Sequence, residues 1–275
     1  MTTHVLRLAS WELRRLSRLR WLPALAVLFA AGCLVNAVVG LRSLRALGLT
    51  GIGASLDGLV TFGVLLPPLL ALVLGAGALA STREHELLSL LATQPVRRSS
   101  IVIGTFLAVA AVVAATVGLG FGAALLVLSQ ATGSADLLRL ATVVAATLGT
   151  SIAAAAIGVL LGAVASNRLQ AVGAAVVVWF GLALGIDLIF AGLAPGLNLG
   201  PRGLLAAIVV NPVEQGRILA LLATRPEPQA LGPFGAYLDD SFGIAGGLGL
   251  LGGMLAVWIV APVTAACVAL CRRDV

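Results

Sequence analysis

The sequence predicts an all-α membrane protein with six transmembrane helices. Of its 275 residues, 60% are hydrophobic and only 10% are charged, whereas soluble domains carry about 25% charged residues. Its mean hydropathy is +1.11. Six segments have the length of about 20 mostly apolar residues that a helix needs to cross a bilayer. They cover residues 21–40, 59–80, 101–128, 140–165, 169–193 and 242–271. We therefore expect one transmembrane domain over residues 1–275.

Residues 1–20 precede the first span and mix apolar side chains with arginines. Arg7, Arg14, Arg15 and Arg18 are set among leucines and Trp11. Such a pattern is typical of an amphipathic helix that lies in the membrane interface with its arginines near anionic headgroups. The alternative is that these arginines act only as an orientation signal.

The arginines are divided unequally between the two sides of the membrane. Six spans put both termini on one side, which then holds eleven arginines against six on the other side. Because positive residues in short loops stay in the cytoplasm, both termini are predicted to be cytoplasmic. The net charge of +6 thus reports orientation in a lipid bilayer, and we expect no nucleic-acid partner.

Residues 81–100 form a charged interruption between two long apolar stretches. Ser81 followed by Glu84 fits a capping box, and a leucine-rich stretch follows it. Pro95 ends the predicted helix because it lacks an N–H and disfavours helical geometry in the preceding residue. The pattern predicts a short amphipathic helix in the cytoplasm, with an interfacial linker as the alternative.

Polar residues are scarce within the predicted spans. Asp187 is their only carboxylate, and an acid in the membrane is a functional candidate because its burial is costly. A structural role near the outer interface is the alternative for Asp187. Glycines four residues apart predict close helix packing. These pairs are Gly118/Gly122, Gly158/Gly162, Gly181/Gly185 and Gly249/Gly253.

The longest extramembrane segment, residues 194–241, contains helix signals of its own. Asn211 can cap a helix, Pro212 suits its first turn, and Glu214 occupies the capping-box position. We expect two short helices, over 204–210 and 213–223, that lie on or dip into the outer leaflet.

A loop with three exposed polar side chains is predicted to follow these helices. It would display Tyr237, Asp239 and Asp240. The whole segment either docks an extracytoplasmic partner or covers the helix bundle.

Several catalytic and metal-binding classes are excluded by motif. His85-Glu86 is followed by leucines, so no H-E-x-x-H zinc motif exists, and the absence of lysine removes any G-x-x-x-x-G-K-[ST] nucleotide motif. Three Cys, two Met and two His are few soft ligands for copper. We predict no catalytic residue, no metal site and no cofactor bound by this chain.

The charged interruption carries a resemblance to a known family. It reads Glu84-His85-Glu86-Leu87-Leu88-Ser89-Leu90-Leu91-Ala92-Thr93-Gln94-Pro95-Val96-Arg97-Arg98 before a long apolar span. This order resembles the segment after the second span in type-2 ABC transporter permeases. The resemblance implies a coupling helix seated on a separate cytoplasmic ABC ATPase, which would bind ATP and Mg. The implied coupling residues are Glu84, Glu86, Leu87, Leu88, Leu91, Pro95, Arg97 and Arg98.

Within that family, the chain is most similar to permease subunits that support copper-site assembly in nitrous oxide reductase. The matching residues are Val178-Trp179-Phe180 with Asp187, and Asn211-Pro212 with Arg217. The resemblance implies a homodimer in a bacterial cytoplasmic (inner) membrane, and a periplasmic accessory protein as outer partner. The expected docking residues are Asn211, Pro212, Glu214, Arg217, Asp239 and Asp240.

Three interpretations of the function follow from the resemblance and the residues together. The first is an ABC permease that couples ATP hydrolysis on its partner to export or to conformational signalling. The alternatives are export of a lipid, drug or other hydrophobic cargo, and secondary transport that uses Asp187.

Overall fold

The computed structural model describes residues 2–46, 53–84, 97–129, 134–193, 200–224 and 232–272. Within these ranges the regular structure is entirely helical, which confirms the predicted fold class. The helices are α1 (Thr2–Ser17), α2 (Trp21–Ala46), α3 (Gly53–Glu84), α4 (Arg98–Leu128), α5 (Ser134–Val164), α6 (Arg168–Leu193), α7 (Pro201–Val210), α8 (Pro212–Thr224) and α9 (Gly232–Arg272). Six of the described helices, α2 to α6 and α9, are long and apolar enough to cross a membrane.

The packing centres on α3 and α5, which run against each other with backbones in close approach. A Cβ atom on Gly162 would lie 2.6 Å from the carbonyl oxygen of Ala76, and one on Gly158 would collide with the carbonyl of Leu72. Of the four predicted glycine pairs, this pair packs against another helix of the chain. The six glycines of the other three pairs have open space where a Cβ atom would stand.

Helix α1 packs lengthwise on the beginning of α4. Leu8 and the backbone of Ala9 lie beside Gly104, and Leu16 is buried. Trp11 and Leu13 are exposed, so the helix buries one face and displays the other. The position of α1 at the membrane surface stays a prediction.

The predicted short helices α7 and α8 are present and meet at Asn211 with a bend of 115°. Helix α8 enters the bundle instead of lying on its surface, because Val213, Gln215 and Ala220 are at most 3% exposed. Gly216 allows this entry, since a Cβ atom there would collide with the hydroxyl group of Thr150. Thr150 lies near the middle of α5, so the pair reaches about half the depth of the bundle.

The predicted loop before the last span is wrong. Tyr237, Asp239 and Asp240 belong to α9, which begins at Gly232 rather than at residue 242. The chain turns at Gly243, whose φ of 67° and ψ of 165° suit glycine because it has no Cβ atom. A kink therefore stands where the sequence suggested the start of a helix.

Candidate functional site

One end of the bundle brings together α1, the last turns of α3, the first turn of α4 and the last turn of α9. We call it the terminal end. The guanidinium of Arg98 donates a hydrogen bond to the carbonyl oxygen of Leu270 at 3.3 Å. A cation at the carboxyl end of a helix also interacts favourably with the helix dipole. Both sides of the predicted coupling segment are thus attached to the bundle, since α3 leads into it and α4 follows it.

Arg15 attaches α1 to the last turns of α3. Its Nη1 donates to Oε2 of Glu12 at 3.3 Å and to Oγ1 of Thr82 at 3.3 Å. Its Nη2 donates to Oγ of Ser81. Ser81 and Thr82 in turn donate to the carbonyl oxygen of Ala78 at 2.9 and 3.0 Å. The result is a polar network between α1 and the residue where the coupling segment begins.

Glu12 is the buried member of this network, with 3% of its surface exposed. Its Oε1 has no hydrogen-bond partner among the residues that the structure describes. Burial raises the pKa of this carboxyl group, and the charge of Arg15 opposes the rise only in part. The network therefore contains a carboxyl group that keeps its proton to a higher pH than an ordinary glutamate does.

The structure reaches only some of the predicted coupling residues. Glu84 is the last residue of α3, and Arg98 is the first residue of α4 after Arg97. The remaining predicted coupling residues, which are Glu86, Leu87, Leu88, Leu91 and Pro95, lie outside the described residues.

The N-cap predicted at Asn211 is confirmed. Its Oδ1 accepts hydrogen bonds from the N–H groups of Val213 at 3.0 Å and Glu214 at 3.2 Å. Its Nδ2 donates to the carbonyl oxygen of Leu182 on α6 at 2.6 Å. Glu214 does not complete the capping box, because its carboxylate pairs with Arg217 at 2.6 Å instead.

A polar cluster surrounds the tip of α8 at half depth, where the sequence predicted an almost wholly apolar interior. Gln215 is fully buried and donates to the carbonyl oxygen of Val209, which also accepts from the indole of Trp258 at 3.1 Å. These two donors satisfy a carbonyl at the break between α7 and α8, as a backbone group in lipid requires. Three hydroxyl residues of α5 are buried in the same region: Thr147, Thr150 and Ser151.

The other predicted docking and intramembrane residues belong to α6 and α9. Asp239 is half-buried and Asp240 is exposed, both on α9 before its kink. That part of α9 packs on α7 and α8 through Phe234 and Leu238. Asp187 lies in α6, and its side chain is outside the described residues.

Sequence reasoning missed the cluster because each of its members is weak evidence alone. Thr147, Thr150 and Ser151 occupy one stretch of a span, and Gln215 follows Asn211 by one helical turn. That shared spacing is a signal that could have suggested a polar contact between α5 and α8.

Comparison with known proteins agrees with this architecture. Residues 6–275 match the family model described as "ABC-2 family transporter protein". The chain belongs to the ABC-2 transporter family. As an ABC-2 protein it is the permease component of an ABC transporter, a subunit that is not itself catalytic.

Two curated relatives have the same type of description. The chain is 30% identical over 211 residues to the "Probable ABC transporter permease protein NosY" of Pseudomonas aeruginosa, with 74% of this chain and 76% of the relative covered. It is 30% identical over 236 residues to the protein of the same description from Stutzerimonas stutzeri, with 83% and 85% covered. The similarity to these permeases therefore extends over most of both chains.

Proposed function

We propose that this ABC-2 permease couples ATP hydrolysis on a separate cytoplasmic ATPase to export or to conformational signalling across the membrane. The ATPase would bind at residues 81–100, and ATP and Mg would stay on that subunit. The observation that carries the proposal is the attachment of both sides of this segment. Arg15 bonds to Ser81 where the segment begins, and Arg98 bonds to Leu270 where it ends.

A series of helix contacts connects this segment to the first turns of α8, and the energy of ATP hydrolysis would be transmitted through it. Helix α3 packs on α5 with backbones in close approach at Gly158 and Gly162, and α5 contacts α8 where Thr150 meets Gly216. At Gly158 and Gly162 the backbones of α5 and α3 touch, and at Gly216 only the short side chain of Thr150 lies between α5 and α8, so a shift of one helix displaces the next. A push on α3 would therefore reach the polar cluster at half depth.

The proposal includes a homodimer in a bacterial inner membrane with both termini in the cytoplasm. Open glycine faces on α4, α6 and α9 offer surfaces on which a second copy can pack closely. The residues around Trp179 and Asn211 resemble those of permeases that support copper-site assembly in nitrous oxide reductase. We therefore propose that this permease also supports that assembly, with a periplasmic partner on the outer side.

A charge reversal tests the ATPase coupling. In the Arg97→Glu/Arg98→Glu double variant, we expect less ATPase to co-purify from native membranes in mild detergent, while membrane insertion is unchanged. Arg18→Glu is the matched control, because Arg18 is exposed at the same end of the bundle. Unaltered recovery and stimulation of the ATPase in the double variant would reject the proposed docking segment.

A second variant separates the proposal from secondary transport. Asp187→Asn removes the only carboxylate predicted within the spans. We expect ATP-dependent activity of the reconstituted complex to survive this change. Loss of activity with normal assembly would favour the alternative in which Asp187 binds the cargo or a proton.

A further inference from the structure

A cavity of about 160 Å³ opens between α1, α3 and α6 at the terminal end. Its described lining includes two guanidinium groups, those of Arg15 and Arg168, together with the hydroxyl of Ser81, and no acidic side chain. Apolar residues complete its walls, and Trp21 is the aromatic one among them. We call it the head cavity, since it combines positive charge with hydrogen-bond donors at one end of an apolar bundle.

A second cavity of about 250 Å³ lies next to it between α2, α3 and α6. Its lining is almost entirely aliphatic and aromatic, with Leu25, Phe29 and Leu70 among the side chains. Trp21 and Val73 line both cavities, so the two spaces adjoin. We call the second cavity the tail groove.

The two cavities follow one another along α3. Val73 precedes Ser81 by eight residues, and Leu66, in the far wall of the tail groove, precedes it by fifteen. At a rise of 1.5 Å per helical residue, these positions lie about 12 and 22 Å from the level of Ser81. The charged cavity thus lies at the end of α3, a candidate membrane span, and the apolar one lies beside the middle of that helix.

We propose that the head cavity and the tail groove together bind one anionic phospholipid of the leaflet that the terminal end faces. The phosphate would lie between Arg15 and Arg168, and an acyl chain would fill the tail groove beside Trp21. A guanidinium carries five N–H donors in a planar fork that matches phosphate oxygens, so Arg15 can bind a phosphate in addition to its partners on α1 and α3. A free phosphate has no acyl chain, so it would leave the tail groove unfilled.

The proposed lipid would lie beside the contact between α1 and α3. Arg15 contacts both the head cavity and Ser81. The bound phosphate would therefore stabilise the arrangement in which α1 is attached to α3.

Quenching of Trp21 fluorescence by brominated phospholipids tests the proposal directly. The full-length protein is reconstituted in vesicles that contain increasing fractions of brominated phosphatidylglycerol or brominated phosphatidylcholine. The signal of Trp21 is obtained by difference from Trp21→Phe, because the chain has four tryptophans. We expect half-maximal quenching at a roughly five-fold lower fraction of phosphatidylglycerol, the preference that about one extra charge contact gives.

Two variants should remove this preference by different means. Arg168→Gln takes away one guanidinium group. Gly77→Leu keeps both arginines and fills the head cavity. A Cβ atom at position 77 would lie 3.5 Å from Val172 and 3.8 Å from Nε of Arg168. Arg14→Gln is the control, since Arg14 is exposed on the same helix as Arg15, and it should keep the preference.

Other outcomes would overturn the proposal. Equal quenching curves for the two lipids, or a preference that survives both Arg168→Gln and Gly77→Leu, would show that no phosphate is bound there. Loss of the preference on addition of millimolar inorganic phosphate would assign the head cavity to a free anion. A Trp21 that neither lipid quenches would show that a second copy covers the groove. ATPase co-purification, measured on the same variants, distinguishes these outcomes from failure of the coupling proposal.

Discussion

The side chain of Asn211 joins two helices, because its Nδ2 donates to the carbonyl oxygen of Leu182 on α6 at 2.6 Å while its Oδ1 caps α8. A single amide thus fixes both the start of α8 and the distance of α8 from α6. Asparagine is suited to this position since it supplies a donor and an acceptor at once.

Replacement of Asn211 should separate its two roles. Asn211→Ala loses the cap, worth about 1 kcal/mol, and the bond to Leu182, worth about 1 kcal/mol more. Asn211→Ser retains a cap acceptor and should lose about half as much. Thermal unfolding in detergent measures both, with the exposed neighbour Val210→Ala as control. Equal stability of the Ala and Ser variants would contradict a separate contribution from the cap.

Gly162 and Gly118, each from a pair of glycines four residues apart, should respond differently to substitution by alanine. Gly162→Ala places a Cβ atom 2.6 Å from the carbonyl oxygen of Ala76, so α3 and α5 must separate, at a cost of about 1 to 3 kcal/mol. Gly118→Ala meets open space within the chain, so in the detergent-solubilised monomer it should leave the free energy of unfolding unchanged or raise it through helix propensity. Unfolding of the two variants in parallel checks this contrast, and equal destabilisation would argue against close packing of α3 on α5.

Removal of the Thr147 hydroxyl group should be harmless or stabilising. Its Oγ1 is buried without a hydrogen-bond partner among the described residues, and Thr147→Val keeps the shape of the side chain. We expect a change between zero and about 1 kcal/mol in favour of the folded state. Thr150→Val, which loses a bond to Ala146 at 2.8 Å, is the matched comparison and should be the less stable of the two. The opposite order would indicate that the Thr147 hydroxyl has a partner.

The attachment of α1 should weaken as pH rises. Burial raises the pKa of Glu12, so the folded state favours its protonated form. The stabilisation from Glu12 is present at low pH and is lost as pH increases through the raised pKa. As pH rises above the ordinary pKa of a glutamate, about 4.3, hydrogen exchange of α1 should therefore become faster than the chemical dependence alone explains. Glu12→Gln should remove this excess, and an unchanged excess in that variant would assign it to another group.

Long apolar segments in the sequence are sufficient to predict most of the fold. The predicted span 101–128 begins within three residues of the observed helix Arg98–Leu128 and ends with it, because hydrophobic length is a property of one segment. The kink at Gly243 was not predictable in the same way. The residues that precede it, including Asp239, are polar enough to suggest a loop, and only their packing on α7 and α8 holds them in a helix.

The contacts within the candidate site were less accessible to sequence reasoning. Arg15 is one of several arginines near the end of α1, and nothing in its neighbours distinguishes it as the one that reaches Ser81. The glycine pairs pose the same difficulty, since spacing shows that Gly158 and Gly118 each have a bare helix face but not which face meets α3. Such partners depend on tertiary geometry.

The bond between Arg15 and Ser81 also constrains the order in which the protein is made. The two residues are 66 positions apart, so the ribosome must extend the chain for roughly 3 to 13 seconds after Arg15 emerges before its partner exists. During that interval α1 has neither α3 nor α4 to pack on, and lipid headgroups are the binding partners available to its arginines. Biogenesis should therefore be sensitive to the anionic lipid content of the membrane at a stage before the second span is inserted.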